Sequence, residues 1–122
     1  MFHVEYQKVC DEIIDCDDKI RYVGIYDYGE LYEKTKPGLT SYLTREETET
    51  SLSQAIYRWS TRKKNSPKIG KPIFAMAKYE KVYRITVPIG GAGLILASTE
   101  LSANVNEIVD KILKIQSKYS ED

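Results

Sequence analysis

The sequence predicts a single α+β domain built on one antiparallel sheet. Three segments place apolar residues at the three-and-four spacing of a helix face, and five shorter segments have the composition of strands. Their order along the chain is helix, two strands, helix, three strands, helix. The links between consecutive strands are short, which requires antiparallel pairing. A length of 122 residues fits one domain, so we assign residues 1–122 to it.

The first predicted helix lies at the amino terminus and has one apolar face. Charged residues occupy its other side, and the sequence DCDD ends it. The apolar residues at helical spacing are Phe2, Tyr6, Val9, Cys10, Ile13 and Ile14. This segment therefore predicts an amphipathic helix.

A β-hairpin is predicted next, in the sequence IRYVGIYDYGELYEK. The first strand, from Ile20 to Asp27, has apolar residues on both faces, which is typical of a strand covered on both sides. Asp27, Tyr28 and Gly29 form the turn, in which Gly29 is free to adopt a positive φ. The return strand, residues 30–34, is more polar and contains a lysine, as strands at a sheet edge often do.

The central helix is predicted over residues 45–64. Thr44 followed by Glu47 is a capping-box pattern, and the sequence NSPKIGKP breaks the helix. Acids in the first turns and bases in the last turn complement the helix dipole. The apolar stripe of this helix consists of Leu52, Ala55, Ile56 and Trp59.

Three strands and a helix complete the chain. The strands are predicted at residues 73–78, 82–87 and 94–98, with a tight turn at Tyr79 and Glu80. The third of these strands is almost wholly apolar, which indicates a central position in the sheet. The last helix is predicted to begin at about Ser102 as its cap and to continue for four turns.

The glycine-rich segment PIGGAG, residues 88–93, raises the question of a phosphate-binding loop. Such a loop needs a helix directly after the glycines, and the Walker form also needs a Lys-Ser/Thr pair. Leu94, Ile95 and Leu96 follow instead, and they predict a strand. The dinucleotide fingerprint fails for the same reason. We therefore predict a hairpin connection here, with Pro88 marking the end of its strand.

Charge and hydropathy limit the classes of partner. The chain has 18 basic and 18 acidic residues, and this balance argues against nucleic acid as a partner. No apolar run approaches the roughly 20 residues that span a membrane, and the amino terminus lacks the pattern of a signal peptide. The sequence therefore predicts a cytoplasmic protein with no membrane partner.

Few residues could carry catalysis. His3 is the single histidine and lies at a terminus, where a catalytic group is hard to hold in place. Cys10 and Cys16 are spaced like neither a redox pair nor a zinc pair. The acids of DCDD are expected to turn or to remain solvated. We expect a protein that is not an enzyme, with no cofactor and no metal.

A basic cluster surrounds the end of the central helix. It could dock an acidic partner, or it could be a solvated helix end whose charges complement the dipole, and the zero net charge favours the second interpretation. The cluster consists of Arg58, Arg62, Lys63, Lys64, Lys68 and Lys71.

A self-association surface is also predicted. In a monomer the strand after the central helix would be an apolar edge, and a two-fold dimer would cover it. Tyrosine and tryptophan often anchor interfaces, although Trp59 could equally be part of the core. The predicted interface residues are Ile56, Tyr57, Trp59, Phe74 and Met76.

The element order and the hairpin resemble those of the roadblock family, the dynein-light-chain-type modules of the profilin-like class. The hairpin matches the family's apolar strand, glycine, two apolar positions, aspartate, x-Gly turn and polar return. The segments DKIRYVGI and YEKVYRITVPI are also similar to an uncharacterised family of small archaeal proteins. The resemblance covers the whole chain, although the link TKPGLTSYLTREE is long for the pattern.

The resemblance implies a five-stranded sheet in the order 2-1-5-4-3. It places the terminal helices on one face and the central helix on the other. It also implies no catalysis, pairing through the central helix and the following edge strand, and a role as a scaffold or regulator of small GTPases. The sequence analysis therefore predicts a non-enzymatic, homodimeric interaction module.

A small-molecule sensor is the alternative, because profilin-like sheets also hold ligands between the sheet and the central helix. A loosely packed central helix with a cavity behind it would favour the sensor, and a tightly packed helix with an exposed Trp59 would favour the scaffold. The side chains proposed to line such a pocket are Tyr22, Tyr26, Tyr28 and Tyr83.

Overall fold

The computed structural model describes residues 5–119, so Phe2 and His3 lie outside the described residues. Within that range the order of elements is the predicted one, with a short additional helix after the central helix. The elements are α1 (Tyr6–Asp15), β1 (Ile20–Asp27), β2 (Glu30–Thr35), α2 (Arg45–Lys63), α3 (Ser66–Ile69), β3 (Ala75–Lys78), β4 (Tyr83–Ile89), β5 (Gly93–Thr99) and α4 (Val105–Lys118).

The five strands form one sheet in the order β2-β1-β5-β4-β3, with every pair antiparallel. This confirms the predicted fold class and strand order. The central strand, β5, is buried along nearly its whole length, as its apolar sequence indicated. β2 and β3 form the two edges of the sheet.

The larger core lies on the face of the sheet that α1 and α4 cover, which we call the terminal-helix face. Both helices bury the apolar stripe that their periodicity predicted. Each fully buried aliphatic side chain in this core contributes about 1.5–3 kcal/mol to the stability of the fold. The fully buried members of this core include Ile13, Ile25, Ile85, Ile95, Ile108 and Ile112.

The smaller core lies on the opposite face, which we call the central-helix face. One group of side chains joins Leu52 of α2 to Leu31 and Leu96, and a second joins Ala55 and Trp59 to Leu94. The placement of α2 opposite the two terminal helices confirms the predicted layers. Because α2 covers only part of this face, grooves remain open on either side of it.

The β1–β2 turn is tighter than the sequence indicated. Gly29 has the predicted positive φ, of 78°, but Tyr28 also has a positive φ, of 52°. Two successive left-handed residues are the pattern of a type I′ turn, whose twist matches that of the two strands. The glycine-rich segment is confirmed as a hairpin connection between β4 and β5, with Gly90 at φ 63°.

Several predicted boundaries are wrong. β3 begins at Ala75 instead of residue 73, and α4 is capped by the Asn104 side chain instead of Ser102. Pro88 lies inside β4, paired with Leu94, instead of ending the strand. β3 pairs with β4 only as far as Thr86. At Pro88, β4 therefore has a single partner strand, and a missing N–H is tolerated on the open side.

A buried pair links α1 to the hairpin turn. The Tyr6 hydroxyl donates to Asp27 Oδ2 over 2.6 Å, and Asp27 is only 6% exposed. Asp27 Oδ1 has no hydrogen-bond partner among the described residues. Burial, followed by the bond to Asp27, raises the pKa of Tyr6. The hydroxyl of Tyr6 therefore stays protonated and donates its hydrogen bond to Asp27.

Alkaline pH is expected to destabilise the fold. Burial and a bond to Glu33 Oε1 raise the pKa of Tyr22, so Tyr6 and Tyr22 both hold their protons more tightly in the folded chain. Their contribution is complete below the unfolded tyrosine pKa of about 10 and is lost as the pH rises above it. Urea unfolding at pH values from below to above about 10 should show the free energy of unfolding falling as the pH rises. The double variant Tyr6→Phe, Tyr22→Phe should decline less, and an equal decline would contradict this assignment.

Candidate functional site

The predicted interface residues of α2 have different environments. Tyr57 is 76% exposed, and Ile56 is half-buried. Trp59 is only 4% exposed and packs with Ala55 and Leu94. Of the two alternatives left open for Trp59, the structure therefore shows the core position in the single chain.

Phe74 and Met76 lie at the open edge of the sheet. Both are substantially exposed, at 42% and 44%, and Phe74 precedes β3 instead of belonging to it. Met76 pairs with Ile85 across the β3–β4 ladder, so the two share the terminal-helix face. The register therefore places the side chain of Met76 on the face opposite α2, although Met76 also borders the cleft beside α2. Phe74, Met76 and α2 all lie near the same open edge of the sheet.

The structure divides the basic cluster into three parts. Arg58 and Arg62 line a narrow cleft between α2 and the β3–β4 hairpin. Lys63 and Lys71 line a groove of about 580 Å³ beside the glycine-rich hairpin connection. Lys64 and Lys68 are exposed. Across residues 5–119, none of the six forms an ion pair, so their charge is available to a partner.

A second groove, of about 530 Å³, opens on the central-helix face. The link between β2 and α2, the sheet and the β3–β4 turn enclose it. Tyr42 of the link lies between two cations, with the Arg21 guanidinium 4.5 Å and Lys81 Nζ 5.5 Å from its ring centre. These contacts hold the link beside the groove. The apolar part of the lining consists of Tyr22, Leu43, Val82 and Leu96.

The proposed tyrosine pocket is mostly wrong. Of these four tyrosines, Tyr22 alone lines the groove beside Tyr42, and its hydroxyl donates to Glu33 Oε1 over 2.7 Å. Tyr26 packs with the leucine group under α2, and Tyr28 is 88% exposed at the hairpin turn. Tyr83 is the cross-strand partner of Lys78, whose Nζ lies 5.5 Å from its ring centre. The side chains contributed by the long link were the ones that sequence reasoning missed.

The thiol of Cys10 is shielded from reaction by its burial. Burial is the main factor that raises the pKa of the Cys10 thiol to about 12, so it is not a nucleophile at neutral pH. Within residues 5–119 there is no group of three or more side chains that could hold a metal ion. In the same range, no helix combines the length and apolar character needed to cross a membrane.

Comparisons with known proteins identify the fold. No protein-family model matches the sequence, and no curated protein matches it. A Roadblock/LC7 domain from Streptomyces avermitilis superposes with a TM-score of 0.72 at 6% identity, covering 92% of both chains. MglB from Myxococcus xanthus gives 0.66 at 13% identity, covering 100% of this chain and 97% of its own. An MglB in a tetrameric arrangement gives 0.64 at 11% identity, covering 98% and 95%. The chain therefore has the Roadblock/LC7 fold.

Proposed function

We propose that this Roadblock/LC7-fold chain is a homodimeric, non-enzymatic interaction module of the cytoplasm that regulates or scaffolds a small GTPase or a signalling complex. The fold supports the regulatory part, because the family that the sequence resembles acts in this way. Self-association draws support from the similar MglB that adopts a tetrameric arrangement. The further resemblance to small archaeal proteins stays a prediction.

The observation that carries the proposal is the open edge of the sheet. β3 has a partner strand on one side only, and exposed Phe74 and Met76 lie along it. Unpaired backbone groups beside apolar side chains favour strand addition. A two-fold axis at this edge would join two sheets into one and bring Tyr57 of each α2 towards the contact. The exposed lysines after α2 would then remain free for an acidic partner.

Met76→Glu is expected to abolish self-association while leaving the fold intact. A carboxylate on each side of a two-fold contact would be desolvated beside its copy, which is unfavourable. Light scattering at low micromolar concentration should give twice the 14.0 kDa chain mass for the wild type and the single mass for the variant. Leu101→Glu, at a site with similar exposure away from the edge, is the matched control and should remain a dimer. A wild-type monomer, or a dimeric Met76→Glu, would contradict the proposed interface.

A further inference from the structure

Three arginines converge on the central-helix face without a carboxylate partner. Arg58 and Arg62 lie one turn apart on α2, and Arg84 lies opposite them on β4. The cross-strand neighbours of Arg84 are Ala77 and Ser98, neither of which can balance its charge. Among residues 5–119, these arginines form no ion pair. Like charges one helical turn apart are unfavourable unless something neutralises them.

An apolar groove adjoins this arginine cleft. The cleft has a volume of about 90 Å³, and the groove beside it about 530 Å³. Tyr79, Arg84 and Leu96 line both, so the two form one continuous surface. The Arg84 guanidinium lies 5.8 Å from the centre of the Tyr79 ring, at the junction. Arg84 thus lies at the junction between the apolar groove and the arginine cleft.

We propose that this composite site binds a small molecule with an aromatic or apolar body and one oxyanion group, such as a phosphate, sulfonate or carboxylate. The body lies in the groove over Val82 and Leu96, and the oxyanion binds Arg84 with Arg58 and Arg62 at the cleft. Guanidinium groups suit oxyanions because their N–H groups match two oxygens at once. The groove has the volume of a small-molecule pocket. This proposal does not depend on self-association.

The other cations of the groove are Arg21 and Lys81. Arg21 is paired with Glu100 over 3.1 Å, and Lys81 lies over the Tyr42 ring. Glu80 is the carboxylate of the lining, and it borders the groove but not the cleft. Within residues 5–119, three arginines without an ion pair lie at the cleft, against one such lysine in the groove. The cleft end therefore has the greater positive charge, which orients an amphipathic ligand. The groove beside Lys63 and Lys71 shares no lining residue with this site, so it provides an internal comparison.

The test uses two fluorescent probes with the same aromatic body. 8-Anilino-1-naphthalenesulfonate carries a sulfonate, and N-phenyl-1-naphthylamine lacks it. The sulfonated probe should saturate one site per chain and bind more tightly than the neutral one. Arg84→Gln should weaken the sulfonated probe by about tenfold or more, as expected when a charge-assisted bond is lost. Arg84→Gln should leave the binding of the neutral probe unchanged, whereas Leu43→Ser should weaken the binding of both probes.

Control variants distinguish this site from other surfaces. Lys114 is an exposed cation on α4, and Lys114→Gln should change the binding of neither probe. Circular dichroism and light scattering on Arg84→Gln should match the wild type, so that lost binding is separated from misfolding and from altered self-association. Equal binding of the sulfonated probe by wild type and Arg84→Gln would overturn the proposal. Binding that falls in Lys71→Gln instead would also overturn it, by placing the probe at the glycine-rich connection.

Discussion

Trp59→Ala is expected to lower the free energy of unfolding by about 3–5 kcal/mol, the usual cost of removing a buried tryptophan. The ring is 4% exposed and joins Ala55 of the same helix to Leu94 of the central strand. The Arg62 guanidinium lies 5.8 Å from the ring centre and would lose that contact as well. Because the core under α2 is small, neighbouring side chains cannot refill the space.

Tyr57→Ala is the matched control for this substitution. Tyr57 lies two residues earlier on the same helix but is 76% exposed, so its loss should change stability by no more than about 0.5 kcal/mol. Urea unfolding of both variants, at a concentration where the chain is monomeric, separates the two roles. A Trp59 effect as small as that of Tyr57 would show that the ring belongs to an interface and not to the core.

Gly24→Ala is expected to destabilise the chain by about 1–3 kcal/mol through steric overlap. A β-carbon at residue 24 would lie 2.6 Å from the Tyr22 hydroxyl oxygen and 3.2 Å from two of its ring carbons. Tyr22 cannot simply swing away, because it is 8% exposed and donates to Glu33, the cross-strand partner of Gly24. The ring thus occupies the space that a side chain at residue 24 would need.

A double-mutant cycle tests that explanation. In a Tyr22→Ala background, Gly24→Ala should cost less than about 0.5 kcal/mol or become favourable, since alanine loses less backbone entropy than glycine. Gly91→Ala provides a control glycine, because an added β-carbon there meets nothing within 4 Å. Its stability should stay within about 0.5 kcal/mol of the wild type. Additive effects of the two substitutions at residues 22 and 24 would rule out the overlap.

Local patterns determined the parts of the fold that could be predicted from the sequence. Apolar residues at helical spacing identified α1 and α4, and the pair Thr44 and Glu47 fixed the start of α2, where both capping bonds are present. The continuous apolar run of β5 indicated its central position. Each of these signals lies within a few residues of the chain, so one sequence is sufficient to detect it.

Features that depend on distant partners could not be predicted in the same way. The alternatives for Trp59 were settled by Leu94, which lies far along the chain on β5. The face of Met76 followed from its register with Ile85, which a one-residue slip in the pairing of β3 with β4 would reverse. The groove depends on the link reaching across the sheet, where Tyr42 contacts both Arg21 and Lys81. Arg58 and Arg62 belonged to the predicted basic cluster, but their position opposite Arg84 depends on how α2 packs on the sheet.

The strand order has a consequence for how the protein is made. β5 lies in the middle of the sheet, yet it is the last strand to leave the ribosome. Until residues 93–99 emerge, the β1–β2 hairpin and the β3–β4 hairpin have no strand to join them. Most of the strand pairing in the sheet therefore forms in one late, long-range step. Before that step, the nascent chain exposes the unpaired apolar edges of β1 and β4.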